Sequence, residues 1–211
     1  MPVQVQGISE LRTALRSFAP DMERNLNKQV RASLQPVVKN AKGYVVTPSL
    51  SNWVYKGGKS RQITKQTSQF RRGKFPLFNA SIVKAGIVAV LSPTKKNRNG
   101  FVTNYSIQNR SAAGAIMETA GRKNPEGQPW RKGSASHKYS HSNNPHAGQR
   151  FITGQHGELK GEGKQRGRLI YRAWNENQGR ALTNIMKAVD ATILQFTRRV
   201  DAASGFKDIA A

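Results

Sequence analysis

Between Glu23 and Glu118 the chain has no Asp or Glu, yet it places seventeen Lys and Arg residues there. They run from Arg24, Lys28, Arg31, Lys39 and Lys42 through Lys84 to Arg110, with a dense stretch in between. The whole chain of 211 residues carries a formal charge of +24. Self-repulsion on this scale works against a compact monomer unless a polyanion or an acidic partner offsets it. A solvated surface does not require so one-sided a balance, since mixed charges serve solubility equally well. DNA, RNA or an acidic protein surface is therefore implied.

The hydrophobic fraction is 36% and mean hydropathy is −0.63, which suits one small core with generous loops. We expect a single domain over 1–211, with a basic loop or arm at 44–77 and a long polar insertion at 121–167. The absence of cysteine removes disulfides and thiolate metal sites. No run reaches the roughly 18 apolar residues that read as a membrane span, and Met1-Pro-Val-Gln-Val-Gln does not resemble a secretory signal, so a soluble protein is expected.

Hydrophobic spacing divides the chain into helix, strands, loop and helix. Ile8, Leu11, Leu15 and Phe18 recur at three and four, and Met22, Leu26, Val30, Leu34, Val37 and Ala41 continue the stripe. This predicts helix over 8–43 in two pieces, the second opening at Pro20 and stopping at Gly43, with Pro36 a kink or weak point. The β-branched run 81–91 reads as a strand, Asn97-Arg-Asn-Gly100 as a turn, and 101–107 as the partner strand. Trp174, Leu182, Ile185, Met186, Val189, Ile193, Phe196 and Val200 mark one face of a long C-terminal helix. The fold class expected is α+β: long N- and C-terminal helices packed on a small, mostly antiparallel sheet, with long basic loops.

Several motifs imitate catalytic ones and fail. Gly57-Gly-Lys-Ser60 lacks the earlier glycine of a phosphate loop, because Trp53 stands there. Gly161-Glu-Gly-Lys-Gln-Arg-Gly167 follows no apolar strand and reads as a flexible loop. His137, His141, His146 and His156 all lie in the polar insertion, and no carboxylate joins them from His137 until Glu158, so solvated histidines are expected rather than a metal site. The carboxylates are scattered, and no Ser or Thr has the context of a nucleophile. We expect no enzyme activity, no cofactor and no metal.

Lys56, Lys59, Arg61, Lys65, Arg71, Arg72, Lys74, Lys95, Lys96 and Arg98 are the candidate electrostatic contacts to nucleic acid, reaching phosphate rather than base edges. Trp53 and Trp130, flanked by loop residues, are candidate anchors between subunits, whereas Trp174 reads as core.

Gly7-Ile-Ser-Glu-Leu-Arg-Thr-Ala-Leu15, Met117-Glu118-Thr119-Ala120-Gly121 and Leu169-Ile-Tyr-Arg-Ala173 together resemble the tail-completion or neck (head–tail connector) family of long-tailed, siphovirus-type bacteriophages. The family's motif has a Gly-Thr order where this chain has Thr-Ala-Gly. The resemblance implies a structural subunit of a homo-oligomeric ring, commonly a hexamer, in the virion neck, assembled in the host cytoplasm. It joins head to tail, contacts adjoining connector, stopper, terminator or tail-tube proteins, and surrounds double-stranded DNA without sequence preference. A tail terminator subunit and a general sequence-nonspecific nucleic-acid-binding protein are the alternatives.

Overall fold

The computed structural model describes residues 7–50, 53–54, 76–93, 103–134, 136, 138–140 and 142–204. Six α-helices and a two-stranded antiparallel sheet make up the described fold, which is α+β with long terminal helices. In chain order they are α1 (Ile8–Phe18), α2 (Pro20–Gly43), α3 (Ala80–Gly86), β1 (Ile87–Val90), β2 (Ser106–Asn109), α4 (Ala112–Thr119), α5 (Ala147–Thr153) and α6 (Ile170–Ser204). The contacts gather into two compact units: 1–36, 89–106 and 177–211 form the first, 37–88 and 107–176 the second.

In the first unit, the stripes predicted for α1 and α2 bury Ile8, Leu15, Met22, Leu26, Val30 and Leu34. Ala19, also buried, separates the two helices, and its N–H bonds to the Leu15 carbonyl. Phe18, read as part of the stripe, is instead 79% exposed, and Arg12 is buried in the first unit. Burial of that cation is compensated. Arg12 pairs with Glu23 at 3.4 Å, donates to the Asn104 carbonyl and lies over the Tyr105 ring. Arg16 also pairs with Glu23, at 2.9 Å. Pro36 does not end α2. Residues 32 and 36 are both exposed, so water can take the Ala32 carbonyl that proline leaves without an N–H partner.

The C-terminal stripe is offset from the one read in the sequence. Ala181, Ile185, Ala188, Val189 and Thr192 are buried, whereas Met186, Ile193, Leu194 and Val200 are 40–53% exposed. Small side chains set the buried face and leave larger apolar ones in solvent.

In the second unit the β-branched stretch behaves differently from the strand expected over 81–91. Asn79 caps a helix there, its Oδ1 accepting from the amides of Ser81 and Ile82, and α3 runs to Gly86 before the chain extends into β1. The partner strand begins later than expected, at Ser106, and residues 101–102 lie outside the described set, as does the turn at 97–100. The 121–167 insertion has structure of its own. It contains α5, a 3₁₀ turn at Gly163–Gln165, and backbone bridges Trp130–Ser140 and Lys160–Gly167. Gly127 (φ 83°) and Gly148 stand back to back, since a Cβ on Gly127 would lie 2.1 Å from the Gly148 carbonyl. No helix among the described residues is long and apolar enough to cross a membrane.

The Arg16 hydrogen bond holds the Glu23 carboxyl below the usual glutamate range, against its partial desolvation. A depressed folded pKa contributes stability that is present above the unfolded value and lost as pH falls through the folded one. Acid unfolding of the Glu23→Gln variant is therefore expected to show a shallower pH dependence than the parent below about pH 4.3, the unperturbed glutamate value. Thermal melts across that range measure it, and parallel curves would remove the pair from the account.

Candidate functional site

The two motif segments 117–121 and 169–173, about fifty residues apart in sequence, meet in the second unit. α4 begins at its cap Ser111, whose Oγ accepts from the Gly114 amide, and it delivers Glu118 in its last turn. The Glu118 carboxylate accepts from the backbone amides of Leu169 and Ile170 through Oε2, at 2.8 and 3.0 Å, and of Tyr171 through Oε1, at 2.9 Å. These are amides at the start of α6, which an isolated helix leaves without partners. A carboxylate there also meets the positive end of the helix dipole.

The exchange is reciprocal. Arg168, immediately before α6, donates through Nη1 to the Met117 and Ala120 carbonyls at the end of α4, and through Nε to the Gly157 carbonyl. The end of one helix thus receives a cation and the start of the other an anion, each from the opposite chain segment. Burial pushes the Glu118 carboxyl up, against the three amides and Arg122, which pull it down. Burial likewise lowers the Arg168 guanidinium, with Glu118 opposing.

Two glycines make this approach possible. A Cβ on Gly167 would sit 2.0 Å from Glu118 Oε1, and Gly121 adopts a φ of 79° against Ile152. Thr119, also in the motif, is exposed, and its hydroxyl donates back along its helix to the Ala115 carbonyl. The group is a structural clasp: among the described residues, every hydrogen bond of the Glu118 and Arg168 side chains is to backbone.

Of the other residues singled out from the sequence, Lys56, Lys59, Arg61, Lys65, Arg71, Arg72, Lys74, Lys95, Lys96 and Arg98 all lie outside the described residues, as do Gly57–Ser60, His137 and His141. His146 and His156 are exposed, and no three His, Asp or Glu residues gather into a metal-binding group among the described residues. Trp130 is half-buried and donates from Nε1 to the Ser142 carbonyl.

Trp53 is a correction. Instead of presenting a subunit anchor it is only 3% exposed, tilted against Phe78 and Phe151 at 5.1 and 5.0 Å, with Nε1 donating to the Pro76 carbonyl. Phe151 belongs to the one apolar pair of the insertion, so this ring contact gives the insertion a hold on the core. Trp174 is half-buried rather than core.

A second surface was hidden in the sequence by its spacing. Arg24, Lys28 and Arg31 are exposed on the part of α2 that belongs to the first unit and fall on one side of it, at intervals of four and three residues. The α2 cations are visible as a group only once the helix is assigned.

Compared with protein-family models, with curated proteins and with solved structures, the chain matches none.

Replacing Glu118 with Ala leaves three amides without their acceptor and should lower stability by roughly 2–4 kcal/mol, judged by about 1–3 kcal/mol for one orphaned buried group. Gly167→Ala should destabilise by about 1–3 kcal/mol through overpacking against Glu118. Denaturant melts of both variants test the clasp, and parent-like midpoints would refute it. Trp53→Ala is expected to lose about 3–5 kcal/mol, as for other buried aromatic truncations, whatever the assembly state. A fully stable Trp53→Ala protein that fails only to assemble would restore the anchor role.

Proposed function

We propose that this chain is a non-enzymatic structural subunit of a homo-oligomeric ring in the neck of a long-tailed bacteriophage, of the tail-completion or connector kind. The observation that carries the reading is the clasp. The segments 117–121 and 169–173, which carry the family resemblance separately in sequence, form one hydrogen-bonded unit around Glu118. Their juxtaposition gives the resemblance a physical reason, because the glutamate and the helix start need each other.

Two further features fit self-assembly. Met186, Ile193 and Val200 recur every seven residues on α6 and remain exposed, an apolar row that a neighbouring subunit can cover. The charge of +24 calls for a polyanionic partner, and duplex DNA passing a ring supplies one. A tail terminator subunit would share these features. The basic face of α2 also favours a simpler reading, a sequence-nonspecific nucleic-acid-binding protein working as a monomer or dimer, which differs from the ring in oligomeric state.

Native mass spectrometry of the purified protein and of neck complexes is expected to find a ring, most simply a hexamer. A strictly monomeric protein inside mature particles would sink the proposal. Changing Arg71, Arg72 and Lys74 together to Glu should reduce the joining of heads to tails with the fold intact. Infectious particles at normal yield would show that this cluster has no part in it.

A further inference from the structure

We propose that the exposed face of α2 from Arg24 to Gln35, all of it in the first unit, is a phosphate-contacting surface for duplex nucleic acid. The proposal deepens the neck reading by naming where the duplex is met, and rests on that reading only for the duplex being DNA. Seven residues of helix place Arg24 and Arg31 roughly 10 Å apart at about 1.5 Å per residue. A duplex presents one negative charge per about 1.7 Å of its axis, so a helix lying against it finds phosphates within reach of three long cationic side chains.

The cations are available. Asp21 and Glu23, the acids of α2, are already engaged, Asp21 by Arg199 at 2.8 Å and Glu23 by Arg12 and Arg16. Among the described residues no carboxylate pairs with Arg24, Lys28 or Arg31; Arg24 Nε donates to the Pro20 carbonyl of its own helix.

The composition of the face chooses between a nucleic acid and an acidic protein. Every exposed residue from Arg24 to Gln35 is Arg, Lys, Asn, Gln or Ala. A protein interface concentrates aromatic, Met and aliphatic anchors at its centre and is depleted in Lys. This face has no such anchor. Its neutral members, Asn25 and Gln35, are amide donors suited to phosphate oxygens. A continuous basic, polar and anchor-free helix face matches a phosphate backbone.

The test is the salt dependence of binding to two unrelated DNA duplexes, followed by fluorescence anisotropy between about 50 and 200 mM salt. Neutralising Arg24→Gln, Lys28→Gln and Arg31→Gln together should reduce the log–log slope by about 2.7, three contacts at about 0.9 each, equally on both duplexes. An equal change of charge at the exposed α6 residues, Arg180→Gln with Lys187→Gln and Arg198→Gln, should leave the slope as it was. Gln has nearly the helix propensity of Lys and Arg, so the variants are expected to fold, which circular dichroism checks. If the triple variant does not fold, Lys28→Gln alone decides, with an expected change of about 0.9.

An unchanged slope, or an equal loss in the α6 control, overturns the surface. So does retention of DNA binding with loss of an acidic protein partner. Native mass spectrometry of the same variants separates the two ideas. A ring whose slope is untouched removes the surface and leaves the neck reading, whereas a monomer whose slope falls removes the neck reading and leaves the surface.

Discussion

A buried carboxylate facing three backbone amides sets the conditions that its part of the molecule must meet. Glu118 can reach Leu169, Ile170 and Tyr171 only if α4 ends where it does, if residue 167 has no side chain, and if Arg168 turns back toward the end of α4. Each requirement is met by a particular residue. Ser111 starts α4 at the right point, Gly167 clears the carboxylate, and Gly121 takes the left-handed turn that carries the chain away. The insertion between Gly121 and Gly167 is thus pinned at both ends by one small group of hydrogen bonds, which lets its interior vary without loosening the start of the long helix.

The same economy governs the scarce acids. Glu118 caps a helix, Glu23 compensates the buried Arg12, and Asp21 binds Arg199. Glu176 accepts from the Tyr44 hydroxyl and pairs with Arg172, whose guanidinium lies 4.1 Å from the centre of the Tyr44 ring. Four of the eleven acids thus each hold a particular local contact, and the positive field follows from the net charge of +24 that remains.

The long helices were legible in the sequence because their signals are redundant. Pro20 at a first turn, Gly43 at a stop, and a stripe repeated over six turns all agree. The error at 81–86 has a definite physical source. Ile82 and Val83 favour strands, but the Asn79 side chain satisfies two amides that a strand would not present to it, and the cap prevails for just under two turns before Gly86 releases the chain into β1. On α6 the larger apolar residues dominate the hydrophobic pattern, but it is Ala181 and Ala188 that join Ile185 and Val189 in the interior. The clasp was half legible. Both segments stood out, but that Glu118 reaches an amide fifty residues onward depends on a fold that periodicity does not encode. Trp53 looked exposed because its sequence neighbours are polar, while its partners Phe78 and Phe151 come from far along the chain.

The back-to-back glycines at 127 and 148 have a consequence for how such a chain can change. A loop whose two ends already touch adds little closure entropy when its length alters, since that term grows only with the logarithm of the residue number. The stretch between these glycines can lengthen, shrink or acquire a new recognition sequence while the backbone on either side keeps its path. The contact leaves no room for a side chain at its own two positions, where a single methyl group would collide with the opposing backbone. Diversity in this part of the molecule is therefore expected to collect inside the loop, bounded on both sides by residues that stay glycine.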